Sequence, residues 1–167
     1  MKRKLVLAAA VIAAVFTSAA HASQDAFFTV TGKITQGTAG ADGKKTYVFD
    51  HAGFDKLPQT TVSTSTSWTD GVHVFKGPLL RDVLKTVGAQ GNDLEAFAID
   101  DYMSRIPAAD ATKYNVIVAE TMDGKPLPTE KFGPLWIIYP RDQFPSELKN
   151  PLTDGKFAWQ LYRLSVK

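Results

Sequence analysis

The stretch FKGPLLRDVLKTVG, residues 75–88, decides the fold, because it contains the clearest helix of the chain. Pro78 is predicted to occupy the first helical position, where its missing N–H costs no hydrogen bond. Apolar residues then recur at helical spacing, and Gly88 ends the pattern. The apolar positions are Leu79, Leu80, Val83, Leu84 and Val87. We expect this stripe to face the interior of the domain.

The segments around this helix predict mostly β-strands. Aromatic, β-branched or alternating residues indicate strands at residues 26–34, 45–49, 60–68, 94–99, 115–122 and 135–139. The first two predict a hairpin with a long loop, and residues 51–57 and 107–111 predict short helical turns. The apolar alternation of residues 156–166 shifts by one position, which predicts a β-bulge near Tyr162 or Arg163. The predicted fold class is a single, mixed, β-rich α+β domain.

The first 22 residues have the features of a Sec signal peptide. A basic start, MKRK, precedes an apolar run over residues 5–16 and the cleavage pattern Ala20-His21-Ala22. The run is shorter than the roughly 20 apolar residues that span a bilayer, which disfavours the alternative of a retained anchor. We therefore expect a periplasmic or secreted mature domain, residues 23–167, without a membrane anchor.

Charge and cysteine content narrow the classes of function. Removing the leader takes three of the 19 basic residues and leaves 16 against 17 acidic ones. Such a near-neutral domain has no basic field for nucleic acid or an anionic membrane. The chain has no Cys, so zinc–thiolate sites, iron–sulfur clusters, c-type haem attachment and thiol nucleophiles are excluded. The three His residues form no recognisable cluster, and we predict no metal site.

Short motifs follow one another in a characteristic order along the second half of the chain. They are FKGPLLRDVL at 75–84, DDY at 100–102, IPAAD at 106–110, DGKPL at 123–127, GP at 133–134, YP at 139–140 and WQL at 159–161. Their order and spacing resemble the molybdopterin-binding domain of the sulfite oxidase family, in particular its small exported bacterial members. The resemblance covers nearly the whole mature chain and is strongest from Trp68 onward. It implies the mixed, mostly β, cofactor-binding fold of that family.

Two departures from the family pattern argue against its chemistry. Enzymes of the family hold molybdenum by a Cys thiolate, and the spacing to Trp68 places Thr64 at that position in VSTSTSW, residues 62–68. A Thr hydroxyl has a far higher pKa than a thiol and is no soft anionic ligand. Cofactor-loaded family members generally use twin-arginine leaders, whereas this leader carries Lys-Arg-Lys. Molybdopterin is thus implied by the resemblance alone, and we expect no bound cofactor and no catalysis.

The resemblance also indicates where a ligand would bind. The residues that would line the former cofactor mouth are Thr64, Ser65, Thr66, Ser67 and Trp68, although a hydroxyl-rich edge strand would have the same composition. His73, in a predicted loop over residues 70–73, could bind an anion, act as a base or simply be solvated. Aromatic residues could form a wall beside this mouth, although strand periodicity favours a core position for the last two. They are Trp68, Tyr102, Trp136 and Trp159.

Charged residues further along the chain complete the candidate site. In an extended segment neighbouring side chains point to opposite faces, so of the Asp100–Asp101 pair we expect only Asp101, with Tyr102, to face the pocket. The guanidinium groups of Arg105 and Arg141 suit a carboxylate, sulfonate or phosphate. The alternative for both is a surface ion pair, with Asp110 or Asp142.

Three hypotheses of function follow from these features. The first is a periplasmic, non-catalytic protein that binds a small, possibly anionic ligand or acts as a sensory accessory. The second is a molybdopterin oxidoreductase whose cofactor site uses a residue other than Cys. The third is a protein-interaction module, for example one that partners a membrane-bound sensor.

Overall fold

The computed structural model describes residues 26–167. The predicted signal peptide, residues 1–22, lies outside these residues. Between residues 26 and 167, no helix has the length and apolar character needed to cross a bilayer.

The described chain consists mainly of strands joined by short helices. The strands are β1 Phe28–Gly32, β2 Thr38–Ala39, β3 Lys45–Phe49, β4 Gln59–Ser65, β5 Val72–Pro78, β6 Asp93–Ala98, β7 Met103–Pro107, β8 Ile117–Ala119, β9 Thr121–Met122, β10 Lys125–Pro126, β11 Trp136–Ile138 and β12 Leu161–Val166. The helices are α1 His51–Asp55, α2 Leu80–Val87, α3 Asp110–Lys113, α4 Pro145–Leu148 and α5 Pro151–Asp154. The β-rich α+β fold class is confirmed.

These strands form three sheets. The largest has the order β2-β3-β1-β12-β6-β7, with β1 and β12 parallel and the other neighbours antiparallel. A four-stranded sheet has the order β10-β9-β5-β4, and β8 pairs with β11. The inward residues of all three sheets and of α2 form one hydrophobic core. The candidate site lies at the end of β4, where the four-stranded sheet meets the segment after β11.

The helix stripe predicted from the sequence faces the core. Leu80, Val83 and Val87 are fully buried, and Gly88 ends α2 in the left-handed conformation (φ 62°). The predicted start of the helix was wrong by two residues. Pro78 is the last residue of β5, because the chain stays extended until Leu79, which bridges to Ile117.

The β4–β5 hairpin differs from the sequence-based expectation. The strand predicted to reach Trp68 ends at Ser65, whose backbone N–H donates to the Asp142 carboxylate. Residues 70–73 do not form one loop, since β5 begins at Val72 and His73 lies within it. Pairing with β4 on one side and β9 on the other keeps β5 extended, and neither pairing could be read from local sequence.

The segment around Asp100 and Asp101 is a tight turn and not extended. Asp101 has a left-handed backbone (φ 64°) and donates its N–H to the Ala98 carbonyl. This turn joins β6 to β7, and β7 had no counterpart among the predicted strands. The argument that neighbouring side chains must point to opposite faces therefore does not apply here, because it holds only for extended chain.

Two further predictions about strands are confirmed. β1 and β3 pair antiparallel across a long connection, as expected for the first hairpin. The register between β12 and β6 shifts between Leu161 and Arg163, so the bulge lies where the change in apolar phase placed it.

Candidate functional site

Thr64 lies at the centre of the candidate site with its hydroxyl already engaged. The residue is fully buried on β4 and faces His73 across the β4–β5 pair. Its Oγ1 accepts a hydrogen bond from the backbone N–H of Asp142 (3.2 Å) and donates to the carbonyl of Ser65 (3.3 Å). The segment after β11 thus closes directly over Thr64.

Asp142 fastens this segment to the end of β4. Its carboxylate accepts from the Ser65 N–H (2.6 Å), the Ser65 hydroxyl (2.8 Å) and the Lys149 ammonium (2.7 Å). Burial by itself would raise the pKa of Asp142, but the hydrogen bonds from Lys149 and Ser65 outweigh it and lower the pKa to about 2. Asp142 is therefore ionised at every physiological pH, and its carboxylate keeps the segment after β11 bound to the end of β4.

Arg141 forms a second polar contact beside the first. Its guanidinium donates to the Ser67 hydroxyl (2.7 Å) and lies 3.4 Å from the Asp154 carboxylate, which also accepts from Ser67 (2.8 Å). Only 11% of the Arg141 side chain is exposed. Its Nε–H and the Asp154 Oδ1 are buried without a hydrogen-bond partner among residues 26–167. Both atoms are shielded from solvent, and the Asp154 Oδ1 is the oxygen that lies 3.4 Å from the guanidinium, so the pair leaves one donor and one acceptor without a hydrogen bond inside the protein.

The predicted aromatic wall forms next to these polar groups. The Trp68 ring lies 5.0 Å from Trp159 and 6.4 Å from Trp136, and Tyr102 lies parallel to Trp159 at 6.3 Å. The Tyr102 hydroxyl donates to the carbonyl of Gly155 (2.9 Å), directly after Asp154. Trp136 is fully buried, as its periodicity indicated, whereas Trp68 and Trp159 are only half-buried. The half-buried rings offer an apolar face to a ligand.

His73 is engaged through both ring nitrogens. Its Nδ1 lies 2.6 Å from the Asp123 carboxylate, and its Nε2 lies 3.0 Å from the carbonyl of Asp70. Both partners are acceptors, so only the doubly protonated ring satisfies both contacts. The hydrogen bond to Asp123 raises the pKa of His73 above its usual value of 6.5, although burial opposes the shift. With both nitrogens occupied, His73 has no lone pair with which to bind a metal.

The structure does not bring Asp101 and Arg105 to this site. Asp101 is exposed in the β6–β7 turn. Along β7 the side chains alternate, so Ser104 reaches the Gly155 carbonyl (2.7 Å) while Arg105 lies on the opposite face of the sheet. There it is exposed, 3.9 Å from Glu95. For Arg105 and Arg141 alike the observed partner is a carboxylate, though neither Asp110 nor Asp142.

Sequence reasoning missed Lys149 and Asp154, and it considered Ser67 only as a residue lining the mouth and Asp142 only as a surface ion-pair partner of an arginine. Asp142 follows Arg141 directly in the sequence YPRD, which is the only local signal. Its partner Ser65 is 77 residues away, and Ser67 is 87 residues from Asp154. Contacts over such separations depend on tertiary packing.

The residues present do not fit a molybdenum centre. The chain contains no Cys, and the Thr64 hydroxyl is buried and hydrogen-bonded. The carboxylates of Asp142 and Asp154 lie close by and would repel anionic sulfur or phosphate groups. Within residues 26–167, no three His, Cys, Asp or Glu side chains are grouped in a way that could hold a metal ion.

Comparison with known proteins places this geometry in context. Residues 44–149 match the family described as oxidoreductase molybdopterin binding domain. The sulfane dehydrogenase SoxCD from Paracoccus pantotrophus has a similar structure, with a TM-score of 0.63 and 16% sequence identity. The match covers 86% of this chain and 38% of that one, so this chain spans well under half of its length. At this identity the likeness shows the fold alone. No curated protein matches the sequence.

Proposed function

Because this chain belongs to the oxidoreductase molybdopterin binding domain family but has Thr64 at the Cys position, we propose that it is a non-catalytic periplasmic protein that binds a small polar molecule. One observation carries the proposal. The Thr64 hydroxyl is buried and hydrogen-bonded to the segment that covers it, so it offers no ligand to molybdenum. The residues around Thr64 would then bind a ligand without catalysing a reaction.

The neighbouring groups indicate the kind of molecule. The Nε–H of Arg141 and the Oδ1 of Asp154 are buried without a hydrogen-bond partner among residues 26–167, so a ligand that displaced the groups covering them would meet one donor and one acceptor. Because Arg141 is paired with Asp154, a ligand with both a donor and an acceptor fits better than a bare anion. The half-buried rings of Trp68 and Trp159 would contact its apolar part.

The periplasmic location rests on the leader. A Sec substrate crosses the membrane unfolded, so it would leave behind a pterin made in the cytoplasm. The Sec-type leader and the missing thiolate therefore support the same proposal through independent features of the sequence.

Purification from the native periplasm tests the proposal. We expect far less than one molybdenum per chain by elemental analysis, no pterin fluorescence, and one small molecule detected by mass spectrometry of the denatured protein. Arg141→Gln should lose this molecule, whereas Arg105→Gln, on the other face of the large sheet, should keep it. Circular dichroism would confirm that both variants are folded.

Two results would contradict the proposal. Stoichiometric molybdenum or pterin would favour the alternative, an oxidoreductase with a non-Cys cofactor site. The absence of any co-purifying small molecule from folded wild-type protein would remove the binding role.

An accessory role beside a partner protein is a second candidate, favoured by apolar side chains around the site. Leu152 on α5 is 86% exposed, and Ile99 is 54% exposed. The hydrogen bond from the Tyr102 hydroxyl to the Gly155 carbonyl joins the two segments that carry these side chains. A membrane-bound sensor that docks here would cover the ligand site. Leu152→Asp should then abolish co-purification of the sensor without loss of the small molecule, and an unchanged complex would count against this role.

A further inference from the structure

A second cleft lies on the large sheet, away from the candidate site. It has a volume of about 410 Å³ and opens across β1, β12 and the loop before β3. Leu164 lies between the lining residues Arg163 and Ser165, and Val30 directly precedes Thr31; both point into the core, so Thr31, Arg163 and Ser165 lie on the opposite face of the sheet. Its lining residues are Thr31, Gly32, Lys33, Gly43, Lys44, Arg163, Ser165, Val166 and Lys167.

The charge of this cleft is unusual for the domain. Four of its nine lining residues are cationic and none carries a carboxylate side chain. The mature chain has nearly equal numbers of acidic and basic residues, so this concentration does not reflect a basic protein. Lys44 and Lys167 have exposed partners in Asp42 (3.4 Å) and Glu95 (3.0 Å). Lys33 and Arg163 pair with no carboxylate of residues 26–167.

Arg163 is held in place for binding. The centre of its guanidinium lies 3.8 Å from the ring centroid of Phe97, its neighbour across the β12–β6 pair. The side chain is only half-exposed and lies beside the hydroxyl-bearing residues Thr31 and Ser165. Because the guanidinium is already stacked on the Phe97 ring, it loses less conformational entropy when a ligand binds.

We propose that this cleft binds an oxyanion with two or more negative charges, such as the phosphate or sulfate group of a small molecule. Lys33 and Arg163 have no carboxylate partner among residues 26–167, so a bound anion would neutralise positive charge that these residues leave unpaired. The planar guanidinium of Arg163 matches the oxygen spacing of phosphate and sulfate, and Lys33 and Lys44 add point charges. The proposal does not depend on the function of the Thr64 site, because the two sites share no residue.

Calorimetric titration with inorganic pyrophosphate and with sulfate tests the cleft. The ionic strength is kept constant with sodium chloride, because unspecific attraction is screened by salt. We expect saturable binding of at least one oxyanion to the wild-type protein. Lys33→Gln and Arg163→Gln should each weaken it by a factor of ten or more, as expected from the loss of a charge-assisted hydrogen bond worth about 1.5–3 kcal/mol.

Two further variants make the test specific. Lys131→Gln removes an exposed cation outside the cleft and should leave binding unchanged. Arg163→Lys keeps the charge but loses the planar fork, so its affinity should fall less than that of Arg163→Gln. Failure of both anions to saturate the wild-type protein would overturn the proposal, as would an equal loss in Lys131→Gln. Lys33 is exposed, so its variant stays informative even if an Arg163 variant fails to fold.

Discussion

At the scale of single residues, the side chain of Thr64 limits what the site can do. A thiolate at residue 64 could bind a soft metal, whereas the Thr64 hydroxyl acts as an ordinary hydrogen-bonding group and takes the Asp142 amide as its partner. The charged groups around it then bind one another: Asp142 pairs with Lys149, Arg141 with Asp154 and His73 with Asp123. The site is held together by these ion pairs, and among residues 26–167 the Arg141–Asp154 pair leaves one buried donor and one buried acceptor without a hydrogen bond.

Asp142 makes the stability of the domain depend on acid pH. Its pKa is about 2 in the folded protein and near 3.9 in an unfolded chain, so its contribution is complete above about pH 4 and is lost as the pH falls toward 2. We expect Asp142→Asn to lower the free energy of unfolding at pH 7 by about 1–3 kcal/mol. Urea denaturation between pH 2 and 7 measures this difference.

The matched control for Asp142 is Glu130→Gln, which alters an exposed carboxylate in the loop before Gly133. This variant should follow the wild-type curve at every pH. If Asp142→Asn lost stability equally at pH 2 and at pH 7, the ionised carboxylate would not be the stabilising group.

At the scale of elements, helix α2 anchors the fold because its stripe meets the core along its length. Its N-terminal end follows β5 with a close approach to β8, where a Cβ on Gly77 would collide with the Val118 carbonyl. This close approach requires glycine at residue 77, and the bridge from Leu79 to Ile117 keeps the chain extended through Pro78. The stripe itself could be read from spacing alone, since the period of 3.6 residues is a local property.

Leu80→Ala tests the anchoring role of α2. Leu80 is fully buried in the core, so removing its side chain should cost about 2–5 kcal/mol in the free energy of unfolding. Lys85→Ala, at an exposed position of the same helix, is the control and should change stability by less than about 0.5 kcal/mol. Chemical denaturation of both variants measures the free energy of unfolding. If Leu80→Ala unfolded like the wild-type protein, the side chain of Leu80 would not contribute to the core.

At the scale of the whole molecule, the proposed route of export bears on the proposed absence of cofactor chemistry. Twin-arginine export carries folded, loaded proteins, whereas Sec export carries unfolded chains. A protein that folds only after export must take up its ligand in the periplasm. The proposed binding site and the proposed location are therefore consistent with each other.

Export can be tested with the full-length chain. We expect a periplasmic protein whose first residue is Ser23, produced equally in cells with and without the twin-arginine translocase. Cell fractionation followed by N-terminal sequencing measures both properties. A chain that lacks residues 5–16 is the control and should stay in the cytoplasm. Accumulation of the uncleaved precursor in translocase-deficient cells would contradict the Sec assignment.

Local sequence was sufficient for much of the fold. It predicted the stripe of α2, the first hairpin and the bulge before Arg163, because periodicity and turn composition act over a few residues. It was not sufficient for the end of β4, the start of α2 or the β6–β7 turn. Those boundaries are set by pairing with segments far along the chain, through Asp142, Ile117 and the register of β7.

The same division holds for the candidate site. The absence of Cys and the place of Thr64 in its motif are properties of the sequence, and they suffice to remove the thiolate. Tertiary structure alone decided that Asp142 would cap Thr64, that Arg141 would meet Asp154, and that Arg105 would point away. The physical reason is that the chemistry of a side chain depends only on the residue type. The residue that a side chain contacts depends on which strands pair and in which register.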